Sequence, residues 1–191
     1  MAASITGVSH ATDIEFDADG VTLRGWLYQS AGPGPHPLVV MAHGLSAVKE
    51  MGLDDYAAVF CAAGLAVLAY DNRNLGASGG QPRQAIDPIA QRRDIEQERR
   101  AVWNNSITVR SLEYRLDYTA IGVIARVAPI PLLMIVANAN DITPTQIALA
   151  AYAQAREPKR LVLIAGRHYR PYIEEFVQSS SAAHDWYLQH L

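Results

Sequence analysis

Three side chains that could share nucleophilic catalysis occur in the chain order serine, aspartate, histidine: Ser78, Asp141 and His168. Ser78 sits in Gly76-Ala77-Ser78-Gly79-Gly80, a literal match to the Gly-x-Ser-x-Gly pattern of a serine held on a sharp turn between a strand and a helix. Its context argues against that role. Ser78 lies five residues beyond Arg73 and is followed by Gly79, Gly80, Gln81 and Pro82, so no helix starts where the turn needs one. The stretch DNRNLGASGG reads instead as a glycine-rich loop, in which glycines permit a tight path and the serine bonds locally. Chain order alone keeps Ser78 on the list.

His168 follows the apolar run of KRLVLIAGRH, and a neutral imidazole at a strand end can act as a general base near neutral pH. Five other histidines are present, and His10, His36, His184 and His190 are given no role. Asp71 stands at the C-terminal end of the strand-like run LAVLAYDNR, the end at which α/β sheets bind ligands. Asp71 and Arg73 either pair as a structural ion bridge or line a pocket. Cys61 falls on the apolar face of a helix, where a cysteine behaves as a small hydrophobe. No glycine-rich phosphate loop, zinc spacing or dinucleotide fingerprint is present, so no cofactor or metal is expected.

The elements that must carry these residues follow from pattern. Asp13–Phe16 and Val21–Tyr28 flank Asp17-Ala18-Asp19-Gly20, a strong hairpin signal. Leu38–Met41 and Leu65–Tyr70 are continuous apolar runs of the kind found in strands covered on both faces. Between them Asp54–Ala63 has helical spacing, an acidic start and Gly64 as C-cap, which predicts a right-handed βαβ unit. Leu132–Ala137 and Leu161–Ile164 are further strands, separated by an Ala-rich helix over Thr145–Arg156, and Glu174–Leu191 is a closing helix. Ala90–Trp103 reads as a polar helix and Ser111–Val127 as a second helical stretch ended by Pro129 and Pro131. Six strands result, four of them parallel, and they are expected to share one mixed sheet. No strand, serine turn and helix can be found in sequence between Arg73 and Pro131.

At 191 residues, half of them hydrophobic, the chain can bury a sizeable core, and a single domain over 1–191 is expected. A net charge of −3 provides no general cationic field for nucleic acid or anionic lipid. Arg92, Arg93, Arg99 and Arg100 alternate with Asp94, Glu96 and Glu98, which reads as a solvated helix face. One cysteine cannot form an internal disulfide and fits a reducing compartment. The first residues, MAASITGVSH, lack the basic and apolar segments of a secretory leader, and no apolar run approaches the ~20 residues of a membrane helix. A soluble, cytoplasmic protein is the expectation.

Taken in order, VVMAHG, KEMGLDDYAAVF, AVLAYDNRNLGAS, PLLMIVA, ITPT, EPKRLVL and SAAHDWYLQHL resemble the dienelactone-hydrolase-like branch of the α/β-hydrolase superfamily, which includes fungal polyketide transferases and thiohydrolases. The similarity runs from about Asp13 to Gln91 and from Thr108 to Leu191. It implies a truncated α/β-hydrolase-like three-layer sandwich with a mostly parallel sheet and an N-terminal antiparallel hairpin. The nucleophile block, with the central strands and the lid region, would be deleted between about 92 and 107. The resemblance places an oxyanion turn at His43-Gly44-Leu45 and the catalytic histidine at His168. Relatives set the acid four residues before a proline; counting back from Pro144 reaches Asn140, with Asp141 one residue later.

The implied substrate is an acyl or polyketide ester or thioester, cleaved or transferred at a non-standard site using His168, Asp141 and Ser78. Two other readings stand beside it: proton-transfer or cyclisation chemistry with His168 as base, and a catalytically dead remnant that dimerises. Loss of central strands would leave open edges or an apolar patch, so a homodimer is expected.

Overall fold

A computed structural model describes residues 11–44, 47–85, 90, 91, 93, 94 and 122–191. These fall into two compact units, one within residues 1–110 and one within 111–191.

In the first unit, β1 (Thr12–Ala18) and β2 (Val21–Tyr28) form the hairpin announced by Asp-Gly. Asp19 and Gly20 both take positive φ, 51° and 77°, the geometry whose twist matches that of the flanking strands. Asp17 Oδ1 accepts the Gly20 N–H at 3.2 Å and closes the turn. β3 (Leu38–Ala42), α1 (Leu53–Ala62) and β4 (Ala66–Tyr70) then make the βαβ unit, with β3 and β4 parallel. Asp54 and Asp55 sit in the first turn of α1, where the helix dipole favours acids. Gly64, at φ 91°, ends it: the Gly64 N–H bonds the Cys61 carbonyl and the Leu65 N–H bonds the Phe60 carbonyl.

The strand order is β1-β2-β4-β3, with β2 antiparallel to β4. β4 is therefore central, and Val67, Leu68, Ala69 and Tyr70 are all fully buried. Ala18, Leu23 and Tyr70 form a core cluster against Phe16, Val21 and Val40, with the Phe16 ring edge-on to Tyr70 at 6.0 Å. Leu23 and Leu68 alone each contribute about 1.5–3 kcal/mol of burial. Cys61 is buried, as a small apolar residue would be.

In the second unit, β5 (Leu132–Ala137) and β6 (Lys159–Ile164) are parallel, from Leu132 opposite Lys159 to Ala137 opposite Ile164. α2 (Thr145–Gln154) connects them and α3 (Phe176–His190) closes the chain. Single 3-10 turns lie at Ile124–Arg126 and Arg170–Tyr172.

Among the described residues, six strands with four in parallel pairs match the sequence expectation, and no single sheet joins all six. Hydrogen bonding gives a four-stranded sheet and a separate two-stranded one. A continuous sheet needs neighbours about 4.8 Å apart, and among the described residues β3 pairs only with β4 and β5 only with β6. No described strand bridges them. Asp94 also departs from the reading of a solvated face, because it is fully buried. Arg93 of that charged run is exposed; the rest of the run, residues 111–121 of the expected second helical stretch, and all but residues 93 and 94 of the deletion point lie outside the described residues. No helix among the described residues is long and apolar enough to cross a membrane.

Candidate functional site

The sequence candidates separate into two clusters at strand C-terminal ends, one in each unit. In the first, β3 delivers His43 and β4 delivers Asp71. The Asp71 carboxylate is fully buried. Its Oδ1 accepts the Lys49 backbone N–H at 2.8 Å, and its Oδ2 accepts both the Lys49 ammonium and the Ala77 N–H at 2.8 Å. Lys49 also bonds Glu50 at 2.7 Å and lies over the Trp26 ring at 4.8 Å, a cation–π contact. Burial alone would raise the Asp71 carboxyl, but the Lys49 and Ala77 donors outweigh it and hold it below the ordinary carboxylate range. Burial would lower Lys49, but bonds to Asp71 and Glu50 outweigh that and raise it.

Of the two readings of Asp71 and Arg73, the ion bridge between them is not made. Arg73 turns to Asp94 and grips both carboxylate oxygens, the Nε bond measuring 2.8 Å. Asp71 takes Lys49 instead, because the backbone after β3 brings residue 49 to the end of β4. Sequence spacing offered no signal for either partner.

Ser78 has a structural place. Its hydroxyl donates to the Asp71 carbonyl at 2.7 Å and accepts the Arg24 N–H of β2 at 2.9 Å. Around it the Gly79 N–H bonds the Thr22 carbonyl at 2.7 Å, the Arg24 guanidinium bonds the Ala77 carbonyl at 2.8 Å, and Arg83 bonds the carbonyls of Ser78 and Gly76. Gly76, at φ 49°, passes so close to Asp71 that a Cβ there would overlap the carboxylate. The glycine pattern thus serves the close approach of loop to carboxylate.

The His43 side chain is buried, with Nε2 3.7 Å from Asp71 Oδ1. The Asn72 N–H points at Nε2 at 3.4 Å, and Nδ1 lies 3.1 Å from the Gly44 carbonyl. A carbonyl can only accept, so Nδ1 carries the proton. Gly44 is exposed, and Leu45 of the expected oxyanion turn lies outside the described residues.

In the second unit, the strand ends are laced together beyond the last ladder pair. The Asn138 N–H bonds the Ile164 carbonyl at 2.8 Å, the Ala139 N–H bonds the Gly166 carbonyl at 2.9 Å, and the Gly166 N–H bonds Asn138 Oδ1 at 3.0 Å. Thr145 Oγ1 donates to the Ala137 carbonyl at 2.7 Å and accepts the Asn140 N–H at 3.2 Å. These bonds bring Asn140 to His168, with Asn140 Oδ1 3.2 Å from Nδ1. Asp141 is directed away: it is exposed and faces Arg167 at 3.8 Å. The partner of His168 is therefore the residue four before Pro144, not Asp141. His168 is half-buried and edge-on to Tyr169 at 4.8 Å. Among the described residues, no group of three or more His, Cys, Asp or Glu is placed to hold a metal ion.

The fold so assembled is α/β-hydrolase-like. The α/β hydrolase GrgF from a Penicillium species superimposes with a TM-score of 0.81 at 18% identity, over 95% of this chain and 99% of that one. An esterase of Pyrococcus furiosus does so at 0.77 and 14% identity, over 95% and 93%. In sequence, the chain is 45% identical over 80 residues to a thiohydrolase of Eupenicillium brefeldianum, covering 41% of this chain and 25% of that protein. It is 47% identical over 77 residues to a polyketide transferase of Aspergillus fumigatus, covering 40% and 26%. The quorum-quenching protein AidA of Acinetobacter baumannii matches at 39% over 95 residues, covering 49% and 31%. The chain thus spans about a quarter to a third of the length of the curated relatives it matches. It matches no family model.

Two outcomes follow for the first cluster. Asp71→Ala leaves the buried Lys49 ammonium with only half-exposed Glu50 as counter-charge and two N–H donors without their acceptor, and should cost up to about 3–5 kcal/mol near neutral pH in urea denaturation. The depressed Asp71 carboxyl stabilises fully above the unfolded value of about 4 and less as pH falls through its folded value, so the wild-type advantage should shrink only in acid. Ser78→Ala leaves the Arg24 N–H without its acceptor and should lower stability by about 1–3 kcal/mol in the same assay.

Proposed function

We propose that the chain acts on an acyl or polyketide (thio)ester in secondary metabolism, by hydrolysis or acyl transfer at a non-standard site whose base is His168. The observation that carries this reading is the contrast between two side chains. The Ser78 hydroxyl is committed as donor and acceptor to Asp71 and Arg24, whereas His168 stands at a strand end with only Nδ1 engaged among the described residues. The names of the sequence relatives supply the substrate class.

In this reading His168 takes a proton from water or an acceptor hydroxyl as that oxygen attacks the thioester carbonyl. The carbon–sulfur bond then breaks, and the departing thiolate recovers the proton from the imidazolium. A general base of this kind contributes ~10²–10⁴-fold. The same atom would serve a proton-transfer or cyclisation reaction with no covalent intermediate.

The reading takes residues 1–191 as one domain working in the cytoplasm as a homodimer. Exposed Ile173 and Val177, at 68% and 76%, and β5 and β6 runs of which only Val136, Ala137 and Ile164 are buried, support a covered apolar surface. A C2 pair is the simplest closed arrangement.

On a panel of acyl thioesters, His168→Ala should lower the rate ~10²–10⁴-fold, while Ser78→Ala should keep the folded protein within a few-fold of wild type. Unchanged turnover in folded His168→Ala would remove the proposal. Sedimentation at micromolar concentration should give a dimer; a strict monomer would contradict that part.

A further inference from the structure

We propose that Asn140 is the positioning residue of His168, fixing its tautomer so that Nε2 is the basic atom, while leaving the imidazolium without a counter-charge. The inference rests on the His168 reading above and deepens it.

The argument begins with the amide of Asn140. The Ile142 and Thr143 backbone N–H groups both point at one terminal atom, at 3.1 and 2.9 Å. An amide nitrogen can only donate, so the atom receiving two N–H donors is the oxygen, and the amide orientation is settled by the loop. That oxygen also faces His168 Nδ1 at 3.2 Å. An oxygen without a hydrogen cannot donate to the ring, so Nδ1 must carry the proton. In a neutral imidazole the other nitrogen then holds the lone pair. Nε2 is the base by elimination.

The anchor is rigid for a local reason. Thr145 Oγ1 ties the Asn140 N–H back to the end of β5, and the Asn138 and Gly166 bonds tie the loops after β5 and β6 to each other. Asn140 therefore brings a fixed acceptor to a fixed ring. It lacks charge. A carboxylate at the same position would hold the same tautomer and also stabilise the imidazolium as it forms. Asp141 cannot supply that charge from where it stands, exposed and turned to Arg167. The geometry of an orienting acid is thus present without its electrostatics.

The test uses the full chain and needs no substrate for its first arm. Nitrogen-15 spectra of the histidine rings at about pH 8, above the ordinary histidine range, should show His168 protonated at Nδ1 and bare at Nε2. Asn140→Ala should release this preference and give a mixture of tautomers, and Asn140→Asp should restore it. In the second arm, Asn140→Asp should raise kcat on a thioester by at least ~10-fold, since a carboxylate at this distance adds the counter-charge the amide lacks and favours the charged form of its neighbour by ~1–3 pKa units, with KM little altered. A wild-type ring protonated at Nε2 would overturn the inference, as would an unchanged tautomer in folded Asn140→Ala or an unchanged kcat in an active Asn140→Asp protein. Correct tautomers with no thioester turnover by any variant would instead sink the proposed function and leave the positioning role standing.

Discussion

The buried carboxylate of Asp71 is the constraint on which the first unit depends. An isolated charge at the end of a central strand would be untenable, so the surrounding chain is arranged to supply donors. The backbone and ammonium of Lys49 come from the segment after β3, and the Ala77 N–H comes from the glycine loop. Gly76 leaves room for the approach, and Ser78 fastens the loop to Arg24 of β2. A motif that looks like a nucleophile turn is, in this setting, the packing of a loop around an anion. The adjacent Arg73 and Asp94 pair works alike, as a forked guanidinium closing on a fully buried carboxylate.

The second unit solves a different problem with weaker bonds. Parallel β5 and β6 end in step, and three backbone or amide bonds carry that register past the ladder into the loops. Asn140 and His168 meet because the strands fix where their loops begin. Neutral partners suffice for orientation. They supply no counter-charge to a developing imidazolium, which separates this arrangement from the carboxylate-held histidine of a serine triad.

Much of this was legible in the residues. Asp19-Gly20 between β-rich runs specified the hairpin, Gly64 specified the end of α1, and the continuous apolar runs specified β3 to β6. The proline count implied by the resemblance reached Asn140, but the need for a carboxylate favoured Asp141, and that choice missed the observed partner of His168, because loop length from β5 to α2 and not side-chain type sets which residue faces the ring. What pattern could not reach was long-range: the partners of Asp71 and Arg73 lie 22 and 21 residues away and leave no periodic trace. The single sheet expected is likewise not seen among the described residues. An apolar run indicates that a strand is to be covered, and it carries no information on which strand pairs with it.

The claim that Ser78 is a strut and His168 the reactive group is tested most directly by a serine-directed fluorophosphonate, followed by intact-mass and peptide analysis of the native protein. The account predicts no adduct on Ser78 under conditions in which thioester turnover proceeds and is abolished by alkylation of His168. A stoichiometric phosphonyl adduct on Ser78 that extinguishes turnover would contradict it and make the glycine loop a nucleophile turn after all.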